Sequence, residues 1–318
     1  MNSFKRFFGL RHFLLREGGN VFEQTEPIKK EHIQPTLANF FGEFKSIFPK
    51  AGVHFEKVRT LGSVGKKDYS GDIDLALSEE SFDSIEEWGL DETRVKELFE
   101  QFKKRAKTST DKQLTKRAVI VAIAEKIQSV SKSILVDVKG SSAGSLFCRF
   151  PQYDETGKPV GTSVQIDINV GDVDWLTFAY HSATYKGNVK GLHRTQLLVA
   201  LFAHKGFTFS HNYGVKNKET QEIAAASPKD AIDLLNKLYR IRLNAETAGD
   251  YFTLIKEIKS KLSPEELSGV FDAYLKILDS TRADIPEDLQ DYWIANQQRL
   301  NLKGKFLPDD SKLTKYKL

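Results

Sequence analysis

Val164-Gln165-Ile166-Asp167-Ile168-Asn169-Val170 alternates apolar and polar residues without a break. Only a β-strand with one face in a core and the other turned away gives that period of two. The strand must therefore carry Asp167 on the face opposite its aliphatic residues. A second segment, Ser70-Gly71-Asp72-Ile73-Asp74-Leu75, has the same logic at shorter length. Asp72 and Asp74, separated by one residue, share a face, and Ile73 and Leu75 point to the core. Just before it stands Gly62-Ser63, a small turn whose unshielded amides suit phosphate oxygens.

Three carboxylates on two strands, with a phosphate-competent turn nearby, read as a site for two divalent ions and a nucleotide. Two ions ~4 Å apart lower the pKa of an attacking hydroxyl and neutralise triphosphate charge. A donor set of aspartates without histidine or cysteine suits magnesium, with manganese as the alternative. Taken alone, an Asp-x-Asp is often a solvated strand end; the turn upstream and the amphipathic Asp167 strand raise its weight. Competing motifs fail on spacing. Asp68 to Asp74 lacks the central glycine and alternating oxygen ligands of a calcium-binding loop, and Gly65-Lys66-Lys67 is not a P-loop.

In this order and register the motifs resemble the nucleotidyltransferase superfamily typified by DNA polymerase beta, and most closely its family X polymerases. The resemblance extends to Phe178-Ala179-Tyr180-His181-Ser182, to Ala203-His204-Lys205-Gly206-Phe207-Thr208 and to Asn212-Tyr213-Gly214. It covers about residues 55–78 and 160–215, about a quarter of the chain. It implies an α+β fold, a polymerase beta-like nucleotidyltransferase palm in which a mixed sheet is flanked by helices, with a helical C-terminal region. It also implies residue roles. Asp72 and Asp74 would bridge both ions, and Asp167 would bind the ion that activates the acceptor hydroxyl. Ser63, with Gly62, would meet the leaving phosphates. Lys66 stands where family X enzymes carry a phosphate-binding arginine; the loop here is one residue shorter, so Lys67 is an equal candidate, and a solvated basic loop is the plain alternative. Gly71 would let the triphosphate approach the backbone. Tyr180 and Ser182 resemble the segment lying against the nucleotide sugar and base, although His181 and Ala183 depart from the usual residues.

Composition bounds the rest. At 318 residues, 40% hydrophobic and 28% charged, the chain can bury one large core or two modest ones. A single cysteine, Cys148, excludes an internal disulfide and thiolate zinc clusters, and fits a reducing, cytoplasmic setting. No apolar run is long enough to span a bilayer. A net charge of +4 permits a nucleic-acid partner without requiring one. Met1–Arg16 has basic residues and no acid; an amphipathic helix is favoured over a targeting peptide.

The pattern predicts N-terminal helices over residues 1–50, a palm over 51–187 and a helical domain over 188–318. Helical spacing marks Glu31–Phe48, and Val53–Leu61 is expected as a strand leading into Gly62-Ser63. Helices are expected near 91–107 and 111–129, with strands at Ser133–Val138 and Leu146–Phe150 and a hairpin through Asp154-Glu155-Thr156-Gly157. Ser227-Pro228 and Ser263-Pro264 read as N-caps with proline in the first turn, among helices near 189–204, 228–244, 248–261, 264–280 and 286–300. Lys186, Lys190, His193 and Arg194 are expected at a solvated helix end, with phosphate contact as the alternative. Lys303, Lys305, Lys312, Lys315 and Lys317 are candidates for salt-sensitive phosphate contacts.

The function expected is metal-dependent transfer of NMP from an NTP to a hydroxyl of a nucleic-acid end or a protein. Template independence is expected, since about fifty residues precede the palm and hold no Gly-x-Gly hairpin of the template-gripping kind. The rivals are a template-directed family X polymerase and a catalytically silent binding protein on the same fold.

Overall fold

The structure, a computed structural model, describes residues 21–302 apart from 107–108, 142–143, 182–188 and 190. The expected first helix, Ser182, Lys186, Lys190 and the C-terminal lysines lie outside the described residues. The chain forms two compact units, residues 1–176 and 177–318.

The described part of the first unit includes β1 (Ile28–Lys29) and the helix Lys30–Ile47, which holds Pro35 inside it. Leu37, Phe40 and Phe44 recur at helical spacing and are buried. A 3-10 helix, Ala51–Lys57, then replaces most of the strand expected over Val53–Leu61. Ala51 and Phe55, four residues apart, are both buried, a helical rather than a strand period. Only β2 (Arg59–Thr60) is extended there. β3 (Tyr69–Ser70) pairs with β1, and β4 (Ile73–Ser78) follows.

Helices Glu92–Arg105 and Asp111–Val130 come next. The second begins at a reciprocal cap: the Gln113 amide donates to Thr110 Oγ1 and the Thr110 amide to Gln113 Oε1. The strand expected over Ser133–Val138 shrinks to β5 (Leu135–Val136), with a helical turn at Val138–Ser141. Asp137 is the reason, since its carboxylate accepts the Gly140 amide and its carbonyl that of Ser141, turning the chain. β6 (Ser145–Tyr153) and β7 (Pro159–Gly171) form the expected hairpin around Asp154, whose side chain accepts from the Thr156 and Lys158 amides.

The sheet order is β2-β4-β7-β6-β5, with β4 parallel to β7 and every other pair antiparallel. This is the mixed sheet flanked by helices expected of a polymerase beta-like palm. Val164, Ile166, Ile168 and Val170 of β7 join Ile73, Leu75 and Leu77 of β4 in one core with the helices Lys30–Ile47 and Asp111–Val130. Phe44 sits at its centre, its ring 4.5 Å from Phe55 and 5.1 Å from Phe48. Trp88 closes the core against Phe82, with its indole N–H donating to the Ser81 carbonyl.

The helix Val173–Ala179 leads into the second unit. There the helix Gly191–His204 is almost wholly buried and packs against Pro264–Thr281. The expected N-caps are made: Ser227 Oγ accepts from the Asp230 amide and Ser263 Oγ from that of Glu266. Between the helices of this helical region, in the stretch 205–227 where no helix was expected, lies a small antiparallel sheet of β8 (Phe207–Ser210), β9 (Gly214–Asn217) and β10 (Ile223–Ala225). Phe207-Thr208-Phe209-Ser210 carries the alternation that signals it. Gly214, at φ +89°, makes the turn, and a Cβ there would stand 2.2 Å from the Ala225 carbonyl oxygen.

His193 and Arg194 do not form a solvated helix end. Both are buried. His193 Nε2 meets the Asp284 carbonyl oxygen, and Arg194 donates to the carbonyls of Ala248 and Phe178 while its guanidinium lies over the Phe178 ring. Neither is placed to meet solvent phosphates.

Candidate metal and nucleotide site

Parallel pairing of β4 with β7 sets Asp74 directly opposite Asp167. Each carries its carboxylate on the face turned away from the aliphatic core, because the neighbours on either side point inward. Asp72 precedes β4 by one residue and shares that face. The three carboxylates each offer an oxygen within 4.8 Å of the others. The register of β4 with β7 brings Asp74 and Asp167 together, and Asp72, two residues before Asp74, completes the group.

β7 supplies more than Asp167. Gln165 and Asn169, two residues either side, lie on the same face. Gln165 Nε2 donates to both Asp167 oxygens, at 2.8 and 3.0 Å. Its Oε1 accepts the Val21 amide at 3.1 Å, which fixes which end of the amide faces the carboxylate. Asn169 Nδ2 reaches Asp74 Oδ1 at 3.4 Å, while its Oδ1 accepts from Ser145 Oγ at 3.0 Å. Two clamped amides thus orient two of the three acids. Sequence reasoning passed over both, although their parity with Asp167 was the available signal.

Gly62 lies beside this cluster. Its φ is +60°, and a Cβ added there would come 3.5 Å from Asp74 Oδ2. The Leu61 amide bonds the Asp74 carbonyl oxygen at 2.8 Å, so the edge pairing of β2 with β4 delivers the turn to the carboxylates. Ser63 is half-buried, and Lys66 and Lys67 are exposed on the loop that follows. The Lys66 amide closes the turn onto the Ser63 carbonyl oxygen at 3.0 Å. Gly71 is exposed directly before Asp72. Ser70 Oγ is buried and has no hydrogen-bond partner. Tyr180 belongs to the second unit, where its ring lies 5.3 Å from that of His211.

Electrostatics set these acids apart. Asp167 is 8% exposed. Burial, then the Asp72 charge, pushes it up to about 8, against the opposing Gln165 hydrogen bonds. Burial raises Asp72 to about 6. Asp74 is held well above the usual carboxylate range by burial and then by both neighbours. Asp72 and Asp74 retain some accessible surface as residues, but their carboxylates lie deep enough for desolvation to dominate. Three acids so crowded repel one another unless protons or cations intervene. An all-oxygen donor set of this kind fits a hard divalent cation such as magnesium.

No family model matches this chain, and no curated protein matches it. Among solved structures the chain is similar to Leishmania infantum polymerase beta, crystallised as a ternary P/T complex. The identity is 15% and the TM-score 0.37, over 66% of this chain and 73% of that one.

Proposed function

We propose that the chain is a metal-dependent nucleotidyltransferase that moves NMP from an NTP to a hydroxyl acceptor and releases pyrophosphate. The observation that carries this reading is the convergence of Asp72, Asp74 and Asp167 with the Gly62-Ser63 turn against Asp74. Asp72 and Asp74 would hold both ions and Asp167 one of them. Bound magnesium supplies charge neutralisation for the triphosphate and acidifies the acceptor hydroxyl.

The chain's own groups have distinct parts. The amides and hydroxyl at Gly62-Ser63 hold the β- and γ-phosphates, and Gly71 leaves room for them beside the strand. Lys66 and Lys67 add positive charge on the same loop. The acceptor oxygen bonds to the α-phosphorus as the bond to pyrophosphate breaks, and an Asp167 oxygen takes the hydroxyl proton. Gln165 and Asn169 hold the carboxylates in place while charge builds. Tyr180 and Ser182 enter as sugar and base contacts only through the resemblance.

Transfer is proposed to need no template, with a nucleic-acid 3′ end or a protein hydroxyl as acceptor. The test is incubation with magnesium and each labelled NTP and dNTP, with total RNA, primed DNA or no added acceptor. Labelled product that disappears in Asp72→Asn, Asp74→Asn and Asp167→Asn supports the reading; near-normal turnover in any of them sinks it. Extension that follows a recessed template base by base would replace it with a template-directed polymerase.

A further inference from the structure

Pairing of β1 with β3 sorts four residues to two faces. Ile28 lies opposite Ser70, both buried, and Lys29 lies opposite Tyr69, both exposed. Tyr69 is 55% exposed, and among the described residues it is the one aromatic in the set of large apolar side chains that stand open to solvent. Lys29 is its cross-strand partner, and further lysines stand close by along both segments. Lys30 follows Lys29 and its amide bonds the Asp68 carbonyl oxygen at 2.9 Å, which ties the two strands together. Lys66 and Lys67 lie on the loop entering β3, and both are exposed. Residues 27–31 and 64–70 together hold four lysines against two acids, Glu31 and Asp68. Tyr69 stands three residues before Asp72, with a bend at Gly71 and Asp72 between β3 and β4, so the chain holds the two within ~10 Å.

An exposed aromatic ring among cations is the surface that a flexible polyanion with stackable bases recognises. Every base has a π-face, so a single ring binds without reading sequence, and the lysines meet phosphates. A folded protein acceptor would have little use for a lone ring set in lysines. Resting on the nucleotidyl-transfer reading, we infer that the Lys29–Tyr69 face docks the single-stranded end of a nucleic-acid acceptor. One base stacks on Tyr69, and Lys29 and Lys30 hold its phosphates. The acceptor end then lies within reach of the carboxylates.

The test separates acceptor from nucleotide. Binding of a labelled single-stranded RNA or DNA of about twelve nucleotides is followed by anisotropy in chelator, where no transfer can occur. Binding of an NTP with magnesium is titrated separately. The full chain is expected to bind the oligonucleotide at low salt. Tyr69→Ala should weaken that binding about tenfold, the loss of one base stack, and Tyr69→Phe should restore it. Lys29→Ala with Lys30→Ala should lower the slope of log affinity against log salt by about 1.4, for two single-strand phosphate contacts. All these variants should keep the wild-type affinity for the nucleotide. Unchanged oligonucleotide binding in Tyr69→Ala would overturn the inference. So would transfer to a protein hydroxyl that is indifferent to Tyr69. Failure of the wild-type chain to bind nucleotide with magnesium would instead remove the nucleotidyl-transfer reading, and this proposal with it; the separate titration identifies that case.

Discussion

At the scale of single residues, the crowded acids make a prediction about stability. Asp72, Asp74 and Asp167 all have folded pKa values raised above the unfolded one. Between the two values the folded state binds more protons, so stability falls as pH rises. Their contribution is complete below about pH 4 and is lost as pH passes about 6 for Asp72 and about 8 for Asp167. In chelator, the melting temperature should therefore decline from pH 4 to pH 8.5, and Asp74→Asn should flatten the decline while ending transfer. Added magnesium should raise the wild-type melting temperature most at the alkaline end. A metal-free melting temperature that climbs over this range would refute the crowding.

Gln165 offers a second check. It touches Asp167 rather than any reacting atom, so its part is to position that acid and to oppose the upward push of burial on it. Gln165→Leu should lower turnover by about 10- to 100-fold, in the range of outer-shell losses around metal ligands. It should also displace the acidic limb of the pH–rate profile upward, because the two hydrogen bonds that oppose burial are gone. A uniform loss at every pH would point to a structural part only. Local parity makes these residues readable: any polar residue two places from Asp167 must share its face. What parity cannot say is that Val21 and Ser145 clamp the far ends of the two amides.

At the scale of elements, the core and the second-unit sheet give separate tests. Phe44 is fully buried among Phe40, Phe48, Phe55 and Trp88. Phe44→Ala should cost about 3–5 kcal/mol by denaturant titration, the usual range for removing a buried ring. Gly214→Ala should disrupt the pairing of β9 with β10, since the added carbon overlaps the Ala225 carbonyl oxygen and φ is positive. Loss of amide protection over Ile223–Ala225 in hydrogen exchange would register it. The elements were legible where period and caps agree, as at Thr110-Asp111-Lys112-Gln113 and at Ser263. They were misread where a short segment supports two periods. Val53–Leu61 looks extended by composition, but its first residues belong to a 3-10 helix that buries Ala51 and Phe55 at helical spacing, and Asp137 folds a strand end into a turn by accepting the Gly140 and Ser141 amides.

For the whole molecule, the division at residue 176 leads to a calorimetric expectation. Each unit has a core of its own, so two cooperative transitions should appear, as is common when domains hold separate cores. Magnesium should raise the transition of the unit carrying Asp72, Asp74 and Asp167, and Gly214→Ala should lower the other. A single transition moved equally by both changes would contradict this.

The sequence by itself determined the faces. Alternation around Asp167 and the spacing of Asp72 and Asp74 place each carboxylate opposite an apolar row, because side chains on a strand alternate whatever the strand pairs with. It also determined the helix starts at Ser227 and Ser263, where the capping hydroxyl and its amide are three residues apart. Tertiary structure alone decided that β4 lies parallel to β7 with Asp74 beside Asp167, a register set by how two distant apolar rows share one core. It alone brought Gly62 against Asp74, through the edge pairing of β2. And it alone withdrew His193 and Arg194 from solvent, because polar side chains are buried when distant carbonyls, here those of Phe178, Ala248 and Asp284, are packed where they can meet their ring and guanidinium nitrogens.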